Sequence, residues 1–332
     1  MTKKPIILAV AFVLLVWGGY WLIANQETAK NFISPLSDQQ KESKPKPLQK
    51  YSFENLRQRG FAGSEIKVAG DVFFYEAEGK KISGQINSPV GEPPAGGYPV
   101  VIMIRGYVDH EIYQTGAGTQ HAAEYFKDNG LMTLAPDFLG FGESDEPPNN
   151  VLEERFLRPV QILELIASVK KLTNANPEKI AIWGHSNGGQ IALSVLEISG
   201  RNWPTSLWAP VSKPFPYSIL YYTDESDDLG KALRKVVAGF EALYEADKFS
   251  IHQYYDWIEA PVLIHQGTAD EAVPLKWSKD LEKTLKEKGK TVKLYVYPGA
   301  DHNLTGSSTS SLGVNSWDEA VRRDVEWFRQ AL

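Results

Sequence analysis

One short stretch constrains the fold more than any other. Gly184-His185-Ser186-Asn187-Gly188 directly follows an apolar run of strand length, residues 180–183. It directly precedes a helical pattern over residues 188–198. A sharp strand-to-helix turn of this kind forces its central residue into strained dihedrals, and the flanking glycines leave room for backbone to pass closely. The turn lifts the Ser186 hydroxyl to the end of a sheet, over a helix N-terminus, where it can act as a nucleophile.

The surroundings suit that placement. Apolar runs at residues 99–104, 131–135, 180–183, 206–208, 261–264 and 292–297 alternate with helical patterns at residues 120–128, 154–172, 188–198 and 275–288. Another helix is expected over residues 317–332, with Ser316 and Glu319 spaced as a capping box. Strands that are apolar throughout and separated by helices predict an α/β fold, with a mostly parallel sheet covered on both faces. Looser patterns at residues 67–76 and 80–87, around Glu78-Gly79, suggest an antiparallel start. Between Pro210 and Pro261 the rhythm breaks. Leu229, Leu233, Val236, Val237, Phe240, Leu243 and Tyr244 fall there at helical spacing. A helical cap insertion at about residues 211–258 is expected. Its aromatics (Phe215, Tyr217, Tyr221, Tyr222, Tyr254, Tyr255, Trp257) are candidates for packing or for lining a substrate pocket.

A serine hydroxyl needs a base. Where such an elbow tops a parallel sheet, the chain order is Ser, acid, His. Of six histidines, only His302 follows both a strand end and a candidate acid. His110 and His121 precede the nucleophile, His185 stands beside it with a side chain expected to point elsewhere, His252 falls in the insertion, and His265 lies in a strand. The acid is expected after the strand at residues 261–264, where Gly267 permits a turn and Asp270 follows. Asp270 would hold the Nδ1 proton of His302 and fix its tautomer. Glu271 and Asp301 are the competing acids. The oxyanion donors are expected to be the N–H of Asn187 and that of Tyr107, in the loop after residues 99–104.

The ends of the chain add a different expectation. From Pro5 to Gln26 there is no charge, and residues 5–24 are long enough, at about 1.5 Å per residue, to span roughly 30 Å of hydrocarbon as a helix. Lys3 and Lys4 before it would keep the N-terminus in the cytoplasm and put the rest on the extracytoplasmic side. Residues 1–24 therefore read as a transmembrane anchor, with a cleaved signal peptide and secretion as the alternative, and a buried helix as a third. Residues 25–50, rich in Gln, Lys, Ser and Pro, read as a flexible linker, leaving 51–332 as the catalytic domain.

Composition excludes several classes. With no Cys there is no thiolate nucleophile and no Cys-ligated metal, and a net charge of −6 without a later basic block argues against nucleic acid. No metal or organic cofactor is implied, and the oligomeric state is not legible.

Together these residues resemble the α/β-hydrolase superfamily over nearly all of 51–332, and more closely the catalytic domain of the prolyl oligopeptidase family with its stand-alone esterase-like relatives. The resemblance rests on Lys80-Lys81-Ile82-Ser83-Gly84, on Gly97-Tyr98-Pro99-Val100-Val101-Ile102-Met103-Ile104-Arg105-Gly106-Tyr107, and on Ala135-Pro136-Asp137-Phe138-Leu139-Gly140-Phe141-Gly142-Glu143-Ser144. It also rests on Trp183-Gly184-His185-Ser186-Asn187-Gly188-Gly189, His265-Gln266-Gly267-Thr268-Ala269-Asp270 and Tyr297-Pro298-Gly299-Ala300-Asp301-His302. It implies Ser186 as nucleophile, Asp270 as acid, His302 as base, and Tyr107 and Asn187 as oxyanion donors. Arg105 departs from the pattern, standing where a His usually opens the His-Gly pair, and no β-propeller precedes the domain. The implied function is cleavage of small acyl esters, or of peptides, through an acyl-enzyme. A catalytically silent binding protein on the same scaffold is the rival from another class.

Overall fold

The computed structural model describes residues 45–223, 226–306 and 315–332. The expected membrane span lies outside them. Among the described residues no helix is long and apolar enough to cross a membrane.

One nine-stranded sheet organises the described residues, in the order β1-β2-β3-β5-β4-β6-β7-β8-β9. The strands are β1 (Lys67–Ala69), β2 (Val72–Ala77), β3 (Lys80–Asn87), β4 (Tyr98–Ile104), β5 (Met132–Pro136), β6 (Ala175–His185), β7 (Thr205–Trp208), β8 (Val262–Gly267) and β9 (Val292–Tyr297). The first three pair antiparallel, as β3 does with β5, and every pairing from β5 through β4 to β9 is parallel. The expected strand at 67–76 is two strands, folded back at Gly70-Asp71. The expected turn at Glu78-Gly79 has both residues at positive φ (52° and 72°), as a two-residue hairpin with the right-handed twist demands.

Period-two alternation sends the apolar strands into two cores. Val100, Ile102 and Ile104 of β4 join one cluster, while Val101 and Met103 join the other. The first cluster is covered by α1 (Phe53–Gln58), α3 (Val151–Ser168), α4 (Asn187–Ser199) and α7 (Leu275–Glu287), and the second by α2 (Gln120–Asp128) and α8 (Ser316–Ala331). Phe126 of α2 meets Phe328 of α8 edge-on at 5.7 Å, both fully buried. Truncating either ring costs about 3–5 kcal/mol. This is the α/β-hydrolase fold, and its parallel core aims the ends of β4, β6, β8 and β9 at one rim.

Two local expectations are corrected. The C-terminal helix is capped by Asn315, whose side chain accepts from the Asp318 N–H at 2.8 Å, and not by the expected Ser316–Glu319 box. Ser316 is buried and Glu319 pairs with Arg323. The polar tract also ends earlier than residue 50. Pro47–Tyr51 forms a 3-10 turn with Leu48 buried, and the Leu48 N–H donates to the Tyr244 hydroxyl at 3.1 Å.

Among the described residues between β7 and β8 lie α5 (Tyr217–Leu220), α6 (Lys231–Glu241) and the 3-10 turns Ala246–Phe249, Ile251–Gln253 and Tyr255–Trp257. The amphipathic pattern expected from Leu229 to Tyr244 is only partly a helix. Leu229 sits outside α6 at φ 53° and is exposed, whereas Val237, Phe240 and Tyr244 are buried. Phe215, Phe240, Phe249, Tyr254 and Tyr255 run into the first core, around Phe156 of α3. The insertion is thus fused to the body. Most of its aromatics hold it there, and Tyr217 and Tyr221 remain exposed beside Trp277.

Candidate active site

Ser186 sits between β6 and α4 at φ 55°, ψ −120°, a conformation costing a non-glycine residue about 1–3 kcal/mol. Neighbouring backbone enforces it. The Ser186 N–H donates to the Trp208 carbonyl at 2.8 Å, and its carbonyl accepts from Val211 and Gly189, each at 3.0 Å. The glycines do what the motif requires. A Cβ on Gly184 would stand 2.8 Å from the Gly188 carbonyl oxygen, and one on Gly188 would overlap the Ile104 carbonyl. The motif therefore permits β4, β6 and α4 to touch.

Asp270 follows β8 and is held from four sides. Its Oδ1 accepts from the Ala272 and Val273 N–H groups at 2.9 and 2.8 Å, and its Oδ2 from Gln266 Nε2 at 2.7 Å. His302 Nδ1 lies 2.9 Å from the same Oδ2. Burial works to raise the carboxyl, but the bonds from His302, the Val273 N–H and Gln266 outweigh it and hold it below its usual range. An ionised Asp270 has no proton to give, so the Nδ1 proton belongs to His302, and Nε2 of the neutral ring is the free base. The competing acids are otherwise engaged. Glu271 is exposed, and Asp301 ties its own loop through the N–H groups of Asn303 and Thr305.

Ser186 and His302 meet through intermediaries. The His185 ring lies 4.7 Å from the His302 ring, centroid to centroid, and its Nε2 donates to the His302 carbonyl at 3.0 Å. The expectation that His185 points away from the chemistry is therefore wrong. Strand alternation puts Trp183 and His185 on one face of β6, the face that Tyr297 and the His302 loop cover. Burial, then the neighbouring His302, pulls His185 down to about 4, so it is neutral at working pH. The Ser186 hydroxyl itself makes no hydrogen bond to His302 among the described residues. Such bonds are often long without substrate.

The loop after β4 runs over the nucleophile. A Cβ on Gly106 would sit 3.0 Å from the Ser186 Cβ. Arg105 shapes this loop. Its guanidinium donates to the Gly106 carbonyl at 3.0 Å and the Asp137 carbonyl at 3.1 Å, and lies over Phe141 and Tyr113 at 4.2 and 4.5 Å. Asp137 accepts from Ser83, Tyr113 and Thr115, so the segment around it is a scaffold for the loop. The Tyr107 phenol is exposed and donates to Asp109 at 2.6 Å. Asn187 is the first residue of α4, where an N–H has no helical acceptor.

Two openings flank the elbow. One, of about 400 Å³, is lined by Trp183, His185, Trp208, His121, Trp317 and Asn303 among others. The other lies on the side of α1 and α3 and reaches Asn187.

Comparison with known proteins agrees with this architecture. Residues 119–332 match the prolyl oligopeptidase family. The chain is 27% identical over 259 residues to the uncharacterized peptidase YtmA of Bacillus subtilis, covering 74% of this chain and 91% of that protein. It is 24% identical over 229 residues to the human protein ABHD12B, covering 65% and 59%. Among solved structures it is similar to Est1E from Butyrivibrio proteoclasticus, at a TM-score of 0.54 and 18% identity over 79% of this chain and 99% of that one. A thermophilic esterase from Thermogutta terrifontis gives a TM-score of 0.55 at 18% identity, over 82% and 96%. Those two likenesses speak for the fold. The family match spans more than half the sequence and contains the elbow, Asp270 and His302, and the chain belongs to the prolyl oligopeptidase family.

Proposed function

We propose that the protein is a serine hydrolase that cleaves ester or amide bonds through an acyl-enzyme. The observation that carries this reading is the ionised Asp270 bonded to His302 Nδ1 at 2.9 Å, with His302 in turn fastened to the residue before Ser186. In the proposed reaction His302 Nε2 takes the Ser186 proton as Oγ attacks the carbonyl carbon. The Tyr107 and Asn187 N–H groups receive the oxyanion, each worth about 3–4 kcal/mol in the transition state. His302 then passes the proton to the leaving alcohol or amine. Water attacks the acyl-enzyme with His302 again as base, and the acid leaves.

Small acyl esters are the first substrate class, because Phe215, Phe249 and Ile251 of the insertion wall the opening that reaches Asn187. Peptides are the second, since YtmA carries the name of a peptidase. Rates on p-nitrophenyl acyl esters and aminoacyl p-nitroanilides, run side by side, separate the two. A fluorophosphonate probe should label Ser186, and Ser186→Ala should lower turnover by a factor on the order of 10⁶. Absence of labelling would leave a binding protein on a hydrolase scaffold. The proposal extends to location: residues 5–24 anchor the chain, with the catalytic domain on the extracytoplasmic side. Release from membranes by alkaline carbonate without detergent would overturn the anchor.

A further inference from the structure

Arg155, in the first turns of α3, lines the opening that reaches Asn187. Its guanidinium makes no salt bridge among the described residues, and the Glu154 carboxylate that acts on it from beyond that range is itself paired with Arg158. Its one protein partner is a neutral one, the Gln190 side-chain oxygen. Gln190 is held in that pose because its Nε2 donates to the Lys213 carbonyl at 2.8 Å. The acids that might have served are engaged elsewhere. Glu154 pairs with Arg158 at 2.7 Å, Glu153 accepts from the Tyr51 hydroxyl at 3.0 Å, and Asp280 pairs with Lys213 at 2.9 Å.

A guanidinium carries five N–H donors, so most of those on Arg155 are unused. The walls around it include Phe156, Phe215 and Phe249, which keep the local dielectric low. Arg155 is only half-buried, so its spare donors remain open to solvent or to an anion that enters the opening. A purely structural clamp between α3 and α4 would be better built with a carboxylate or with two neutral groups. Burial and the nearby Arg158 pull Arg155 down to about 9, and it still carries its charge at neutral pH. Asn187 lines the same opening, and its side-chain amide has no hydrogen bond among the described residues. The cavity measures about 40 Å³, enough for a small polar group.

We infer that Arg155, oriented by Gln190 and joined by the Asn187 amide, binds a carboxylate of the substrate, so that the preferred substrate is an ester or amide bearing a free carboxylate near the scissile bond. The inference rests on the serine hydrolase reading and sharpens it. Arg suits the task because its planar fork meets a carboxylate with two parallel bonds.

The test compares kcat/KM for matched substrates in two series. In one, the acyl chain is neutral or ends in a carboxylate (p-nitrophenyl esters of monoacids against monoesters of diacids from glutarate to suberate). In the other, the leaving group is methyl 4-hydroxybenzoate or 4-hydroxybenzoate. In at least one series the wild type should favour the carboxylated member by about tenfold or more, and Arg155→Met should lower that ratio by about tenfold. Arg155→Lys should restore part of it. A structural role would slow both members alike and leave the ratio unmoved. That result, or a preference for the neutral member in both series, overturns the inference. Should Arg155→Met fail to fold, Gln190→Leu carries the same comparison. If no ester is hydrolysed, the ester reading fails separately. Calorimetric titration of the Ser186→Ala protein with adipate then decides the subsite. Binding that Arg155→Met abolishes supports it, and no binding refutes it.

Discussion

The backbone at residue 186 lends itself to a direct measurement. Ser186→Ala and Ser186→Gly both delete the hydroxyl, so neither should turn over substrate. They differ in the Cβ, which is what makes φ 55°, ψ −120° costly. That strain is worth about 1–3 kcal/mol. Glycine relieves it but adds freedom to the unfolded chain, a loss of about 0.4–1 kcal/mol. The net expectation is that Ser186→Gly is more stable than Ser186→Ala by about 0.5–2 kcal/mol, a rise of a few degrees in Tm for a domain of this size. Urea unfolding followed by circular dichroism, with both variants at the same pH and protein concentration, measures the difference. Equal stability, or a less stable glycine variant, would refute the claim that the elbow stores strain in order to present its hydroxyl.

Three further outcomes are expected. Asp270→Asn keeps the shape but releases the His302 tautomer, and kcat should fall by about 10⁴. Because Asp270 is held below its ordinary range, its contribution to stability is present above its unfolded pKa and lost as pH falls through the folded value, so wild-type stability should decline below about pH 4 with a slope that Asp270→Asn lessens. Glu197 lies fully buried in α4 with neither carboxylate oxygen hydrogen-bonded, and burial pushes it well above the usual range. A carboxyl raised in the fold weakens it as pH climbs past the unfolded pKa, so Glu197→Met should stabilise by about 1–3 kcal/mol at neutral pH and by less in acid, read from paired thermal melts. Asp324 of α8 accepts from Ser206 at 2.5 Å, Trp208 at 2.8 Å and His265 at 2.9 Å with no solvent access, and Asp324→Ala should cost about 3–5 kcal/mol in urea titration.

What the sequence disclosed was what is local in the chain. The elbow is contiguous, and the Asp270 and His302 loops each follow a strand of recognisable pattern, so order along the chain was enough to single them out as candidates. Arg155 was invisible because its meaning is a missing partner, and a missing partner shows only once Glu153, Glu154 and Asp280 have found theirs. His185 was misjudged because the loop it supports arrives 117 residues later. Leu48 was lost in a tract of Lys and Pro, where one apolar residue carries no periodic signal. The C-terminal cap was misplaced by one residue because Ser316 and Asn315 are both good caps, and burial of the serine decided between them.

The short turn at Pro47–Tyr51 has a practical bearing on how this protein is handled. Tyr51, Phe53 and Leu56 form part of the wall of the opening that holds Arg155, and Leu48 grips Tyr244 of the insertion. A fragment begun at residue 51, where motif logic alone would cut, would expose Tyr244 and slacken one side of that opening. Expression trimmed to residue 46 keeps that wall whole, and a comparison of the two start points would reveal how far the insertion depends on a strip of chain that looks, on paper, like spare rope.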